Sequence, residues 1–266
     1  MKTIVVTGTS SGIGHQICIQ AAKMNFHVIS VSRNIEPLKD IGGIESFAID
    51  ITNKDSVDEF IANLKSRKIK IDILINNAGY LVSELFGDTT YESFKKTFDV
   101  NVFGLAEITR SLIPIINSDG HVINISSIGG VNGSKKFPGL SAYSSSKAAV
   151  IALTEVLAEE YQNGPSFNVL ALGAVQTKML KEAFPDVALV TEEKLESHYL
   201  KTDNFILVDP LDGTKEFINK SKEFTVNIAL IENSVPVFGI VDAPATGKVW
   251  AGSFFQRPSK FTRIIN

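Results

Sequence analysis

The sequence predicts an α/β fold with a doubly wound parallel sheet, followed by a C-terminal segment of mostly antiparallel strands. Up to about residue 172, short β-branched apolar runs alternate with longer amphipathic stretches. This alternation is typical of strands that are buried on both faces and joined by right-handed helical crossovers. From Asn204 onward the apolar runs follow each other through short turns, which is the pattern of antiparallel strands.

The first part of the chain contains six predicted strands and four predicted helices. Because the strand candidates are short and nearly continuous in apolar residues, each one fits a strand that is covered on both sides. The predicted strands are Thr3–Val6, His27–Val31, Glu45–Ile49, Ile71–Ile75, His121–Ile125 and Phe167–Leu172. The predicted helices lie near 12–24, 54–66, 91–116 and 142–162.

The C-terminal part contains the predicted strands Phe205–Val208, Phe224–Ile231 and Val235–Val241. Asn233-Ser234 separates the last two strands and predicts a tight hairpin turn. The change of pattern places a domain boundary near Pro185, between a nucleotide-binding domain at 1–185 and a second segment at 186–266. We expect the hairpin at 224–241 to pair with the sixth strand, because folding tends to cover an unpaired sheet edge.

Composition excludes several classes of protein and partner. A net charge of −3 gives no reason to expect nucleic acid or a membrane surface as a partner. No stretch approaches the ~18 apolar residues of a membrane span, and Met1–Gly8 has too few apolar residues for a signal peptide. Cys18 is the only cysteine, so we expect it to be a buried apolar residue and the protein to lie in the reducing cytoplasm.

A glycine-rich loop lies between the first predicted strand and the first predicted helix. A dinucleotide pyrophosphate binds to backbone N–H groups at a helix N-terminus, and glycines let the backbone approach it closely. The position at the start of a strand–helix series therefore predicts a pyrophosphate-binding loop, with a plain structural turn as the alternative. The loop residues expected to contact the cofactor are Gly8, Ser10, Ser11, Gly12, Ile13 and Gly14.

The end of the second predicted strand indicates which nicotinamide cofactor is used. An aspartate at this place would accept hydrogen bonds from the adenosine ribose and repel a 2′-phosphate. The chain instead carries Ser32 and Arg33; the arginine can pair with a phosphate and the serine can donate a hydrogen bond to it. These residues favour NADP(H) over NAD(H), and a solvated surface arginine is the alternative.

Tyr143 and Lys147 are four residues apart in a predicted helix and therefore share one face. A tyrosine has an ordinary pKa of ~10, and a nearby ammonium group lowers that pKa towards the working range. We expect Tyr143 to give its proton to a carbonyl oxygen while hydride arrives from the nicotinamide. We expect Lys147 also to hold the nicotinamide ribose.

Further polar residues stand where they can join this pair. Ser126 and Ser127 end the fifth predicted strand, at the sheet edge where ligands gather, and a serine there can hydrogen-bond the reacting oxygen. Of the two serines we choose Ser127. Asn101 can anchor a water that relays protons, or it can satisfy a distortion of its helix, and the two roles are compatible.

Taken together, these residues resemble the short-chain dehydrogenase/reductase family. Thr7–Gly14 is similar to the glycine motif of that family, Asn76–Gly79 to its Asn-Asn-Ala-Gly motif, and Asp50-Ile51 to its adenine-contacting pair. The resemblance implies a Rossmann fold, transfer of hydride between a small alcohol and a carbonyl compound, and dimers or tetramers formed through the fifth and sixth helices. The catalytic residues that it implies are Asn101, Ser127, Tyr143 and Lys147.

Further cofactor contacts are expected outside the glycine loop. Some are predicted from the chemistry of the residues themselves, and the others are implied by the resemblance. They are Ser32, Arg33, Asp50, Ile51, Asn77, Ala78, Gly79, Tyr143, Lys147, Val175 and Thr177.

Three departures from the family pattern bear on the substrate pocket. Leu172 stands where the family has a proline, and the spacing from Ser127 to Tyr143 is longer than usual, with Asn132–Lys136 as the insert. The last helix and the seventh strand of the family, which complete much of its pocket, have no counterpart in the sequence. A nucleotide-binding module without turnover is therefore an alternative function.

Residues 186–252 resemble a second family, the magnesium-dependent phosphatases that include 3′(2′),5′-bisphosphate nucleotidases and inositol monophosphatases. Asp209 and Asp212 flank a tight turn and can point at one site, which suits a hard cation. By resemblance, Glu192 is a further metal ligand. Mg²⁺ is implied only if this segment is functional, and a metal-free turn is the alternative because other ligands of the family are absent. The chain is thus predicted to be a chimera, with a Mg²⁺-dependent nucleotide or sugar phosphatase as its third possible function.

Overall fold

The structure of the protein is a computed structural model that describes residues 1–134, 136–173, 188–191, 203–213, 215, 221–246, 248–253 and 256–262. The described chain forms two compact units, and Met1–Gly173 belongs to the first. The described residues from 188 onward belong to the second. The boundary predicted near Pro185 lies outside the described residues and stays a prediction.

Most elements of the first unit begin and end within two residues of the predicted ones. Its strands are β1 (Thr3–Thr7), β2 (His27–Ser32), β3 (Ile44–Ala48), β4 (Ile71–Asn76), β5 (Ile116–Ser127) and β6 (Ser166–Leu172). Its helices are α1 (Gly12–Lys23), α2 (Lys54–Ser66), α3 (Tyr91–Phe98), α4 (Leu105–Leu112) and α5 (Ser141–Glu160). Capping side chains mark the starts of α2 and α3, since Asn53 accepts from the Ser56 amide and Thr90 from the Ser93 amide, each at 3.0 Å.

The six strands of the first unit form one sheet in the order β3-β2-β1-β4-β5-β6, and all neighbouring strands are parallel. Successive residues of β1 alternate between two apolar cores. Val5 packs in a core that contains buried residues of α2 and α4. Ile4 and Val6 pack in another, which contains Cys18 of α1. A parallel sheet covered on both faces confirms the predicted doubly wound fold.

The predicted helix at 91–116 is wrong in its middle and at its end. A π-helical turn, Asp99–Gly104, separates α3 from α4, and a 3-10 turn, Ile113–Ile115, follows α4. Strand β5 therefore starts at Ile116, five residues before the predicted start at His121. A π turn adds one residue to a helical turn without changing its apolar character, so hydrophobic periodicity does not reveal it. Pro114, in the 3-10 turn, stops the helix.

A buried chain of polar side chains joins two helices through the sheet. The Asn76 Nδ2 donates to Thr109 Oγ1 of α4 and to Asn124 Oδ1 of β5, both at 2.8 Å. The Asn124 Nδ2 in turn donates to Thr154 Oγ1 of α5 at 2.9 Å. All four side chains are at most 2% exposed. The chain thereby fixes α4 and α5 against the carboxyl ends of the central strands.

The second unit contains another sheet, with the described strands in the order β12-β11-β10-β9-β8-β7. Only β7 and β8 pair in parallel among these strands, so the prediction of mostly antiparallel strands is confirmed. The strands are β7 (Ala188–Thr191), β8 (Phe205–Asp212), β9 (Thr225–Glu232), β10 (Val235–Ala243), β11 (Lys248–Ser253) and β12 (Gln256–Thr262).

The predicted hairpin is present, but it belongs to this second sheet. Asn233 and Ser234 both have positive φ, at 51° and 60°, as a type I′ turn requires. The two strands of the hairpin pair with each other and with β8 and β11. The expectation that the hairpin at 224–241 pairs with the sixth strand is therefore wrong. Within the described residues, no helix has the length and apolar character needed to cross a membrane.

Candidate active site

The candidate site lies along the carboxyl ends of the parallel strands β1, β2, β4 and β5. Parallel strands in one sheet present these ends at the same edge, where open α/β sheets bind their ligands. The glycine loop follows β1, Arg33 follows β2, and Asn77 follows β4. Ser127 ends β5, and Tyr143 and Lys147 lie in the first two turns of α5.

The glycine loop is too closely packed for side chains. Gly8 has a φ of 72°, and a Cβ there would lie 2.6 Å from the Ala78 Cα. A Cβ at Gly14 would lie 2.5 Å from the Gly8 carbonyl oxygen. Gly12 opens α1 with a φ of 62°, and the preceding Ser11 makes no capping hydrogen bond with its side chain. The loop therefore leaves backbone at the start of α1 open to a pyrophosphate, and the residues fit a dinucleotide.

The loop is fastened to the end of β4 through Thr7, whose role sequence reasoning missed. The Thr7 Oγ1 accepts from the backbone N–H of Asn77 at 3.1 Å and of Ala78 at 3.0 Å. The Asn77 Nδ2 donates to the Gly8 carbonyl at 2.9 Å. A buried threonine before the first glycine is the signal that could have revealed this contact. The predicted contacts Gly8 and Ala78 are thus brought together.

The residues at the end of β2 differ in whether their polar groups are available to bind a phosphate. The Ser32 hydroxyl donates to the Asn34 carbonyl at 2.6 Å, and only 7% of Ser32 is exposed. Its proton is therefore already used, which weakens the predicted donation to a phosphate. Arg33 is exposed. Burial alone would raise the pKa of Asp50, but hydrogen bonds from Thr52 and the charge of Arg33 hold that pKa below its usual range.

Ser127, Tyr143 and Lys147 come together at the start of α5. The Ser127 hydroxyl forms a hydrogen bond with the Tyr143 side chain. The Lys147 Nζ donates to the Ile125 carbonyl at 2.9 Å and lies 5.7 Å from the centre of the Tyr143 ring. Ser126, by contrast, is 3% exposed and donates to the Lys147 carbonyl at 2.8 Å. The geometry therefore favours Ser127 as the serine that faces the reacting group.

Burial dominates the protonation of both catalytic candidates. Burial raises the pKa of Tyr143, and the hydrogen bond with Ser127 offsets part of that increase. Burial lowers the pKa of the Lys147 ammonium group to about 8. The expectation that Lys147 brings the pKa of Tyr143 down is therefore not met in this structure. The Nζ is directed at the Ile125 carbonyl and at the face of the tyrosine ring.

Asn101 lies in the π-helical turn and is fully buried. Its Oδ1 accepts from the Tyr80 N–H at 2.7 Å, and its Nδ2 donates to the Tyr80 carbonyl at 2.8 Å and to Ser146 Oγ at 2.9 Å. The side chain thus satisfies the distorted helix and holds the backbone that follows the Asn-Asn-Ala-Gly motif. Ser146 is a second residue that sequence reasoning missed, although its place directly before Lys147 was visible.

The remaining predicted site residues are partly outside the described chain. Val175, Thr177 and Glu192 lie outside the described residues. Asp212 accepts at its Oδ2 from Asn227 Nδ2 at 3.1 Å and from Thr225 Oγ1 at 3.4 Å. Nowhere in the described chain does a group of three His, Cys, Asp or Glu side chains suit a metal ion. Because Glu192 lies outside the described residues, the metal site predicted at Glu192, Asp209 and Asp212 stays a prediction.

Comparison with known proteins gives two family matches along the chain. A family model described as short chain dehydrogenase matches residues 2–188. A model described as the inositol monophosphatase family matches residues 171–259. Both resemblances drawn from the sequence are thereby confirmed, and the two matches overlap where the pattern of the sequence changes.

Individual relatives cover the first part of the chain. An uncharacterised oxidoreductase of Staphylococcus saprophyticus is 32% identical in an alignment of 190 residues, and the match covers 67% of this chain and 80% of the relative. The solved structure of a 3-ketoacyl-(acyl-carrier-protein) reductase from Brucella melitensis, complexed with NADH, has a TM-score of 0.64 and 26% identity, covering 69% of this chain and 80% of the other. The structure of ElxO with NADP bound has a TM-score of 0.61 and 28% identity, covering 76% and 81%.

Proposed function

Because the chain belongs to the short chain dehydrogenase family, we propose that it is an NADP(H)-dependent oxidoreductase that interconverts a small alcohol and a carbonyl compound. The observation that carries the proposal is the convergence of Ser127, Tyr143 and Lys147 at one sheet edge, beside a glycine loop that fits a dinucleotide. Gly79 lies beside this group, since a Cβ there would lie 3.6 Å from Asn101 Oδ1 and 3.7 Å from Lys147 Nζ.

The choice of NADP(H) rests on charge at the end of β2. Arg33 is exposed there, and its guanidinium group can form a bidentate pair with a 2′-phosphate. No carboxylate occupies Ser30–Asn34 to repel that phosphate. Related structures are bound to NADP in one case and to NADH in another, so the family alone leaves the choice open. Arg33 is the residue on which the preference depends.

In the reductive direction, proton transfer would start from the protonated Tyr143 phenol. A phenol with a raised pKa is protonated at neutral pH and can act directly as the acid. A nicotinamide cofactor held along the glycine loop would supply the hydride for the carbonyl carbon. Tyr143 donates its proton to the carbonyl oxygen, so that an alcohol and a phenolate result. Ser127 holds the oxygen, and its hydrogen bond stabilises the phenolate until a proton returns from solvent.

The proposal is tested first by equilibrium titration of the protein with NADPH and, in parallel, with NADH. We expect saturable micromolar binding that prefers NADPH, and an Arg33→Ala variant that loses most of this preference without losing NADH binding. Lys39→Ala, which removes an exposed cation from the loop after β2, is the matched control and should keep the preference. Equal binding of both cofactors by the unchanged protein would contradict the assignment of NADP(H).

Turnover is tested with a panel of small carbonyl compounds. Tyr143→Phe should abolish NADPH consumption while leaving NADPH binding nearly intact, because phenylalanine keeps the ring and removes only the proton donor. A Tyr143→Phe variant that consumes NADPH at the original rate would contradict the proton relay. Binding without turnover on every carbonyl compound would favour a nucleotide-binding module instead.

A further inference from the structure

We propose that Ser146 is a positioning residue, because its hydroxyl couples Asn101 to the helix that carries Tyr143 and Lys147. The inference rests on the proposed function, since it assigns a role within that oxidoreductase site. Ser146 is fully buried. Its Oγ donates to the Tyr143 carbonyl at 2.7 Å and accepts from Asn101 Nδ2 at 2.9 Å.

These bonds complete a continuous connection across the site. The backbone of Tyr80 is held by both polar atoms of the Asn101 amide, Asn101 is held by Ser146, and Ser146 is bonded to the backbone of Tyr143. The connection joins the loop after β4 to the first turn of α5. This polar connection between the loop after β4 and the Tyr143 backbone therefore passes through a single hydroxyl group.

The neighbouring serine shows that this role does not belong to every serine of the helix. The Ser145 hydroxyl also donates to carbonyl oxygens of the preceding turn, at 2.7 Å to Ser141 and 3.1 Å to Ala142. Ser145 is exposed, and these bonds lie within its own turn of helix. Ser145 and Ser146 thus form a matched pair, because both donate within α5 but Ser146 also accepts from the side chain of a separate element.

Ser146→Ala removes the acceptor of a buried Asn101 N–H. Because an unsatisfied buried donor costs free energy, we expect the Asn101 amide to reorient. The helix itself keeps its backbone hydrogen bonds, and alanine is a good helix former. We therefore expect a displaced Asn101 and Tyr143 in a folded protein. A misplacement of about 1 Å lowers turnover by up to about 100-fold, so we expect kcat to fall by about 10-fold to 100-fold.

The test compares Ser146→Ala, Ser145→Ala and the conservative Ser146→Thr. Hydrogen exchange at the Tyr80 amide, which Asn101 holds, should be about tenfold faster in Ser146→Ala, while amides of β1 and β4 keep their protection. In steady-state carbonyl reduction, Ser146→Ala should lose kcat with little change in KM for NADPH or for the carbonyl compound. Ser145→Ala should match the unchanged protein in both measurements, and Ser146→Thr should regain most of the kcat.

Two outcomes would overturn the inference. Unchanged exchange at Tyr80 in Ser146→Ala would show that Ser146 does not hold Asn101. Equal acceleration at every amide of the first unit would show that Ser146 serves general stability only. If the unchanged protein reduces no carbonyl compound, the proposed function fails, but exchange at Tyr80 still decides the coupling by the same two criteria.

Discussion

Replacing Thr7 with valine removes the oxygen atom that joins the start of the glycine loop to the end of β4. That oxygen accepts from the amides of Asn77 and Ala78, and Thr7 is only 1% exposed. Valine has nearly the same shape, so the variant leaves two backbone N–H groups without their acceptor and creates no large cavity. An unsatisfied buried donor costs about 1–3 kcal/mol. Both amides belong to half-buried residues that water can partly reach. We therefore expect the free energy of unfolding to fall by about 2–4 kcal/mol in total.

The measurement must report on the first unit alone. The only tryptophan, Trp250, lies in the second unit, so its fluorescence is unsuitable. Hydrogen exchange of the β1 and β4 amides gives the free energy of opening of the sheet in the first unit. NADPH titration gives the binding affinity. We expect the Kd to rise at least about tenfold, which corresponds to a loss of about 1.4 kcal/mol in binding free energy. Thr3→Val, in the same strand, is the matched control. A Thr7→Val variant as stable as Thr3→Val would refute the reasoning.

Three further changes test other parts of the same unit. Lys147→Met should abolish turnover yet raise stability at pH 7 by about 2 kcal/mol, because burial lowers the pKa of Lys147 to about 8 and a buried charge opposes folding. That gain should shrink as the pH rises from about 8 towards 10.5, and urea unfolding at both ends of the range checks it. Gly8→Ala should abolish NADPH binding, since its Cβ would meet backbone, whereas Gly42→Ala, with no atom within 4 Å, should bind normally in the same titration. Thr154→Val should cost about 1–3 kcal/mol in urea unfolding, because it leaves the buried Asn124 N–H without an acceptor; a variant as stable as the unchanged protein would contradict that role.

The sheet could be predicted from sequence because its physical signal is local and repeated. Strands β1 to β4 are short and rich in apolar residues, and a helix or a turn follows each of them. Covering both faces of a parallel sheet requires such runs, so the same cause produces the pattern and the fold. The glycines were informative for a related reason. At Gly8 a Cβ would contact the backbone of Ala78. Only glycine therefore fits at this position, and a glycine can be read directly from the sequence.

The features that sequence reasoning missed depend on contacts between distant segments. The π turn around Asn101 is accompanied by bonds to Tyr80 and Ser146, which lie 21 and 45 residues away. The pKa of Tyr143 depends on how deeply the phenol is buried, and residue spacing gives only its distance along the helix from Lys147. Spacing correctly brought the two side chains together, but it did not give the direction of the Lys147 Nζ. That direction is set by the Ile125 carbonyl.

The strand order separates cofactor binding from the part of the first sheet that departs from its family. The pyrophosphate loop follows β1, and Arg33 follows β2, whereas β6 lies three strands from β1 in the order β3-β2-β1-β4-β5-β6. At about 4.8 Å per strand, that separation is about 14 Å. Ser127, however, ends β5 and is paired with Leu172 of β6, the residue that stands where the family has a proline. Any disturbance transmitted through β6 is therefore expected to reach Ser127, the proposed catalytic serine, before it reaches the glycine loop after β1. Substitutions in β6, such as Leu172→Ala, should lower kcat more than they weaken NADPH binding, and the reverse result would show that the whole sheet responds as one unit.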